Sequence, residues 1–227
     1  MYIVLDIETG NPTAAQMEVE KRWAKTGNLK DPAKIEAKQN GLKGGLTDSA
    51  PIFCIGLRVP GLSLSLSTAN LNDSARSILQ SAGIAASTFA NEIAMLQGFC
   101  AIMATLPATT RLTTRLITHN GTHFDIPKLR FRMSFYNLQA PDTLWTWKHT
   151  DTMLKFREFS VSDKQFYKLS ELTEKFEIPF CKEINGDEIG GMIESNEPEQ
   201  HLKIILYNTL DCIATECVAR KMMGYKL

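Results

Sequence analysis

Tyr2-Ile3-Val4-Leu5-Asp6-Ile7-Glu8-Thr9-Gly10 stands at the start of the chain and decides how the rest is read. Its first four residues are apolar and two are β-branched, which predicts a buried strand over Tyr2 to Leu5. That strand runs directly into Asp6-Ile7-Glu8. In extended backbone, residues i and i+2 point the same way, so Ile7 faces the core while Asp6 and Glu8 share the opposite face. Two carboxylates this close repel, and each raises the other's pKa unless a cation sits between them. Oxygen-only donors of this sort suit Mg²⁺ or Mn²⁺. Taken alone, D-x-E after a strand is as readily a surface or capping feature.

Residues 11 to 50 differ in character from that strand: they are polar, charged and helix-prone. Thr13 with Gln16 has the form of a capping box. Asp31-Pro32 places a good N-cap before a proline, and Asn40-Gly41 supplies a stop. Two short helices and a loop are therefore expected as an insertion after the first strand. Two strands, Ile52 to Arg58 and Leu62 to Thr68, flank the turn dipeptide Pro60-Gly61. Leu64 and Leu66 alternate with Ser63, Ser65 and Ser67, which predicts one exposed face. Helical spacing marks Phe89 to Leu106 through Ile93, Leu96, Phe99, Cys100 and Met103. A short strand over Arg115 to Thr118 leads into a loop, and a helix follows over about Ile126 to Leu138. Lys168 to Phe176 reads as helical, ending before Ile178-Pro179. The last helix spans about Glu199 to Met223, with Leu202, Ile205, Leu206, Thr209, Leu210, Ile213 and Cys217 on its inner side. No repeat, low-complexity tract or interdomain linker interrupts the chain, so 227 residues are read as one domain. Antiparallel strands followed by alternating helix and strand predict a mixed α/β sheet with helices on its faces.

Composition narrows the class. Hydrophobic residues make up 44% of the chain, enough for a sizeable core, and acidic and basic residues balance at 25 each. That balance argues against tight, non-specific coating of duplex nucleic acid and is compatible with an enzyme that holds one strand end through metals. No apolar run approaches the ~18 residues of a membrane span, and no signal peptide is expected. Five cysteines without a C-x-x-C fit a reduced, cytoplasmic compartment better than a disulfide framework or a zinc site.

Two further constellations resemble the first in being acidic. Asn120-Gly121-Thr122-His123-Phe124-Asp125 lies between a strand and a helix opened by Ile126-Pro127. Asp125 is readable as an N-cap, and a helix start also aims a carboxylate into a cleft. Tyr207 and Asp211 lie one turn apart on one face of the last helix, inside an apolar region. A buried aspartate there needs a cation or a hydrogen-bond network. His119 and His123 have neither a common helix nor a nearby cysteine, which disfavours zinc. Lys128, Arg130 and Arg132, and separately Lys155, Arg157, Lys164 and Lys168, are basic sets able to meet phosphates or simply to face solvent. Trp145 and Trp147 suit base stacking or packing. Asp151 is read as structural or supporting.

D-x-E, N-x-x-x-F-D and Y-x-x-x-D occur in that order, each in a fitting local context. Together they resemble the motifs of the DEDD superfamily of 3′→5′ exonucleases, in the tyrosine branch (DEDDy). The likeness is greatest to the proofreading exonuclease domain of family B DNA polymerases and its stand-alone relatives. It runs from Tyr2 to about Met223, with support from Phe53 to Leu57, Glu92 to Phe99, His149 to Met153 and Lys168 to Leu172. The resemblance implies a ribonuclease H-like fold with a mixed five-stranded sheet flanked by helices. It implies that Asp6, Glu8 and Asp211 hold one divalent ion and Asp6 a second, and that Asp125 acts largely through water on the metal. Tyr207 would orient the attacking water. Glu8 and the Thr9 backbone would lie near the 3′-terminal nucleotide, with Asn120 and Phe124 shaping its pocket. Two ions ~3.5–4 Å apart activate a water and clamp both oxygens of an in-line displacement, so no histidine base is needed.

The expected partner is nucleic acid, single-stranded DNA foremost and RNA as the alternative, with nucleoside 5′-monophosphates as products. Discrimination between the two depends on contacts to the 2′-hydroxyl. A catalytically silent nucleic-acid-binding or scaffold protein is the rival from another class. The chain departs from the family's pattern in carrying no polymerase domain and in the insertion at 11–50, which emerges beside Glu8 and is readable either as a cover for the substrate groove or as a decorative insertion. No membrane partner is expected, and no particular replication or repair protein is indicated.

Overall fold

The structure, a computed structural model, describes residues 1–24, 27, 30–105, 114–141, 144, 148–180 and 184–224. Six strands form one sheet: β1 (Tyr2–Thr9), β2 (Ile52–Val59), β3 (Leu62–Ser67), β4 (Ile84–Thr88), β5 (Arg115–Thr118) and β6 (Lys148–Asp151). Their order across the sheet is β4-β3-β2-β1-β5-β6. β1 is antiparallel to β2 and parallel to β5, and β6 continues the parallel half. β2 and β3 form the hairpin around Pro60-Gly61, and β4 joins β3 in parallel.

The mixed α/β sheet agrees with expectation, but it has six strands rather than five. β4 returns from helix α3 (Asp73–Ser81), which the sequence reading passed over. Ile-Ala-Ala-Ser-Thr carries too little apolar weight to announce a strand. It holds its place by pairing with β3 from Ser63–Ile84 to Ser67–Thr88.

β1 shows why the site forms where it does. Ile3, Leu5 and Ile7 enter a core with Met95, Leu96, Phe99 and Met103 of α4 (Glu92–Thr105) and Leu129 and Met133 of α5 (Asp125–Phe135). Tyr2 and Val4 point the other way, joining Ile117, Cys212 and Ala219 beneath the last helix. The two-residue period of the strand thus sends Asp6 and Glu8 towards that helix. A register irregularity between Glu8 and Thr9 ends the regular pairing of β1 with β2 at the acidic pair.

The remaining helices are α1 (Ala14–Trp23) and α2 (Pro32–Asn40) in the insertion, α6 (Thr152–Phe159), α7 (Leu169–Lys175), α8 (Gly186–Glu194) and α9 (Pro198–Met223). α1 and α2 carry the expected caps: Thr13 and Gln16 form the capping box, and Asp31 accepts from the Ala33 N–H ahead of Pro32. Neither buries a residue, as befits an insertion outside the core. Among the described residues, no helix is long and apolar enough to cross a membrane. Cys54, Cys100, Cys212 and Cys217 are free thiols, and Cys181 lies outside the described residues.

Two packing expectations are corrected. β3 has no solvent face: Ser65 and Ser67 are fully buried and Leu64 half-buried. α9 lies over that face, and small side chains let a long helix approach the sheet. α9 is buried over a wider arc than its apolar spacing suggests: Ile205 and Thr209 of the expected inner side are buried, and Leu202 and Leu206 pack half-buried against the core. Leu210 is exposed, whereas Asn208, Cys212, Thr215, Glu216 and Ala219 are buried. Glu216 is held there by Tyr2, Arg58 and Arg220, which together keep its carboxyl below its ordinary range despite burial.

Candidate active site

Asp6, Glu8 and Asp211 are brought together from opposite ends of the chain. One carboxylate oxygen from each lies within 4.8 Å of the others. Asp125 stands beside this group rather than in it. Its Oδ1 accepts the Ile7 N–H at 3.0 Å, which ties the start of α5 to the strand between the two β1 carboxylates. Asp125 is not the N-cap of α5: that position is Phe124, and Asp125 is the first helical residue, 3% exposed. The carboxylate that was readable as a cap reaches across to β1 instead.

Burial and mutual repulsion decide the electrostatics. Loss of solvent raises the Asp6 carboxyl well above its ordinary value, and Asp125, Glu8 and Asp211 raise it further. Burial likewise pushes Asp125 up to about 7, against the Ile7 hydrogen bond and with help from Asp151 and Asp211. The donor set fits a divalent metal: the atoms are hard oxygens, three of them converge, and a cation between them would relieve their mutual repulsion. Tyr207 hydrogen-bonds Asp211, and burial together with the surrounding acids holds its phenol firmly protonated.

Asn208 was not anticipated. It is fully buried, donates to Asp6 Oδ2 at 2.7 Å, and accepts from the Cys54 thiol at 3.4 Å. Its place is made by Gly56, the residue paired with Asp6 across β1 and β2. A Cβ on Gly56 would lie 2.2 Å from Asn208 Oδ1 and 3.0 Å from Cys212 Sγ. The one signal in the sequence is an asparagine among apolar residues, one position after Tyr207.

Asp151 caps α6. Its Oδ1 accepts from Met153, Leu154 and Asn120, and its Oδ2 from Thr122. That carboxylate shapes the loop delivering Asp125, in which Asn120 adopts a left-handed φ of 60°. His119 is engaged at both nitrogens, by Thr152 and the Tyr167 carbonyl, and among the described residues the only group able to hold a metal is the acidic one.

A cleft of about 350 Å³ begins at Glu8. Thr9 and Phe124 line it, whereas Asn120 does not. The insertion supplies Lys43 to Leu46 to the same cleft, and α8 supplies Asp187 and Gly190. Of the basic residues after Asp125, Lys128 and Arg132 are not a phosphate surface. Lys128 is buried and donates to the Thr47 and Asp48 carbonyls, and burial lowers its ammonium to about 8. Arg132 is buried against Glu92 at 2.5 Å. Lys164 pairs with Glu171 on the surface. Trp145 and Trp147 lie outside the described residues.

A family model described as the RNase H superfamily, RNase_H_2, matches residues 80–223, well over half of the chain. The match contains Asp125, Tyr207 and Asp211 and begins after the first acidic pair. No curated protein matches the sequence significantly. Nucleases of this superfamily generally work with divalent metal ions, and the mixed sheet flanked by helices is the corresponding fold. With sheet, acidic cluster and sequence match in agreement, the chain belongs to the RNase H superfamily, a fold family of nucleic-acid hydrolases.

Proposed function

We propose that this protein is a divalent-metal-dependent 3′→5′ exonuclease acting on single-stranded or frayed DNA ends, and that residues 1–227 form one catalytic domain. The observation that carries the reading is the convergence of Asp6, Glu8 and Asp211 beside Asp125, with Glu8 also lining a cleft large enough for a monomer. The 3′ polarity rests on the likeness of the three motifs to the DEDDy exonucleases.

Asp6, Glu8, Asp125 and Asp211 would hold Mg²⁺ or Mn²⁺, which when bound supplies charge neutralisation and Lewis acidity towards water and phosphate. The chain's own residues do the rest. Tyr207, kept protonated and donating its hydroxyl to Asp211, orients the attacking water by accepting a hydrogen bond from it. Asn208 fixes the rotamer of Asp6. Thr9 and Phe124 position the terminal nucleotide in the cleft. Water adds to phosphorus, the bond from phosphorus to the neighbouring 3′-oxygen breaks, and that oxygen takes up a proton. The products are a nucleoside 5′-monophosphate and a strand one residue shorter, with a new 3′-hydroxyl.

The test is nucleotide release from 3′-labelled and 5′-labelled single-stranded DNA and RNA, with Mg²⁺, Mn²⁺ or EDTA, for the native protein and Asp6→Ala. Metal-dependent shortening from the 3′ end that the variant lacks supports the reading, and greater release from DNA than RNA supports the substrate. A folded, metal-loaded protein that shortens neither polymer overturns it.

A further inference from the structure

The cleft beside Glu8 has an outer wall that the acidic motifs do not supply. Residues 43–46, at the end of the insertion, form one part of it and α8 another. This wall is anchored on several sides. Thr9 Oγ1 donates to the Gly45 carbonyl at 2.7 Å. Lys43 Nζ meets both oxygens of Asp187 at 2.7 and 2.8 Å, joining insertion and α8 across the cleft. Asn11 donates to Glu194 at 2.9 Å. Gly190 allows that approach, since a Cβ there would lie 2.4 Å from Asn11 Nδ2. Behind the wall, the buried Lys128 ammonium holds the Thr47 and Asp48 carbonyls.

Three properties of this wall bear on the substrate. About 350 Å³ is near the bottom of the range of small-molecule sites, ~300–1,000 Å³, so the cleft admits one monomer and no duplex. Leu46 is 64% exposed although it lines the cleft beside Phe124, which leaves apolar surface for a flat, weakly hydrated ring. Lys43 and Asp187 are both more than half exposed, and an ion pair of that kind contributes little, being screened by solvent. A phosphate oxygen therefore displaces Asp187 from Lys43 at little cost, and a charge-assisted contact replaces the one lost.

We propose that residues 43–46 of the insertion are the end-recognition element of this protein: Leu46 and Phe124 take the terminal nucleobase, and Lys43 exchanges Asp187 for a substrate phosphate. The substrate class that follows is the unpaired end of a single strand, because a base still paired to a partner cannot enter. This inference rests on the exonuclease reading above, and it gives the insertion a role in selecting the end.

The experiment separates binding from cleavage. Binding of deoxyadenosine 5′-monophosphate, in Ca²⁺, is measured by isothermal titration and by saturation-transfer NMR for the native protein, Leu46→Ala, Leu46→Trp and Lys43→Ala. Release from single-stranded, blunt and recessed 3′ ends is measured alongside in Mn²⁺. Because Leu46 and Lys43 are exposed, their replacement leaves the core intact, and circular dichroism checks this. The expected results are binding about tenfold weaker for Leu46→Ala and Lys43→Ala, and none for Leu46→Trp, whose ring fills the cleft. Preference for unpaired over blunt ends should fall in parallel. No binding by the native protein, or equal binding by all four proteins, overturns the inference even if single strands are hydrolysed. Binding that depends on Leu46 in a protein that hydrolyses nothing overturns the exonuclease reading and leaves the nucleotide compartment standing.

Discussion

Asp125→Asn should make the metal-free protein more stable, and only above acidic pH. The side chain is 3% exposed and its carboxyl is pushed from 3.8 up to about 7. Below the lower value both folded and unfolded chains hold the proton, and nothing is lost. Between the two, the unfolded chain releases the proton while the folded one keeps it, so stability falls as pH rises. The penalty is complete above pH 7, where ionising the buried group costs at most about 4 kcal/mol at ~1.4 kcal/mol per pH unit. Asparagine keeps an oxygen for the Ile7 N–H and removes the charge. It also relieves Asp6, whose carboxyl Asp125 raises. In EDTA the variant should therefore melt within a few degrees of the native protein at pH 4.5 and well above it at pH 8. The upper bound is ~8–16 °C, taking ~2–4 °C per kcal/mol for a chain of this size. Saturating Mn²⁺ at pH 8 should reverse the order, since the clustered charge that destabilises the free protein becomes cation affinity. Thermal scans at three pH values, with and without metal, measure all of this. A variant less stable at pH 8, or more stable by the same amount at every pH, refutes the electrostatic account.

Other substitutions test the supports of the site. Asn208→Ala removes a hydrogen bond to a charged group, worth ~1.5–3 kcal/mol, and should lower kcat about 10- to 100-fold with little change in KM. Because Asn208 lowers the Asp6 pKa, the acid limb of the pH–rate profile should also move to higher pH, which a purely structural lesion would not produce. Gly56→Ala should cost ~1–3 kcal/mol in urea unfolding from overpacking. Adding Asn208→Ala should return part of that loss, as the clash is with Asn208. Glu92→Ala strands the buried Arg132 guanidinium and frees the Ile52 N–H. Unfolding measurements should show a loss of ~3–5 kcal/mol, with Glu92→Gln falling in between.

What the sequence made legible follows the physics of each signal. The β1 strand, the caps at Thr13 and Asp31, the hairpin at Pro60-Gly61 and the long last helix each depend on contacts within a few residues, and each is present. The convergence of Asp6, Glu8 and Asp211 was expected from their motifs, and their oxygens do meet. The misses were tertiary. β4 is a strand because β3 offers it an edge, and nothing in Ile84 to Thr88 says so alone. The apolar spacing of α9 gave only part of its buried surface, because the helix is covered on more than one side and polar residues such as Asn208, Thr215 and Glu216 are buried beside Ile204 and Ile205. Asn208 and Gly56 lie 152 positions apart in the chain and explain each other only in space. Lys128 and Arg132 were readable as meeting phosphates or facing solvent because burial is invisible in a run of charges, whereas in the fold their partners are protein groups.

The hydrogen bond from Asn208 to Asp6 spans 202 positions of the chain, and that from Ile7 to Asp125 spans 118. The acidic cluster is therefore a late event in the making of the molecule. On a ribosome adding ~5–20 residues per second, Asp6 emerges some 10–40 s before the helix that carries Asp211. During that interval β1 and β2 can pair, but the carboxylates remain apart and attract no shared cation. A nascent chain stalled or cut short before α9 would lack the third carboxylate of the cluster. An acidic cluster divided between β1 and α9 cannot assemble, by topology alone, until the chain between them has been made.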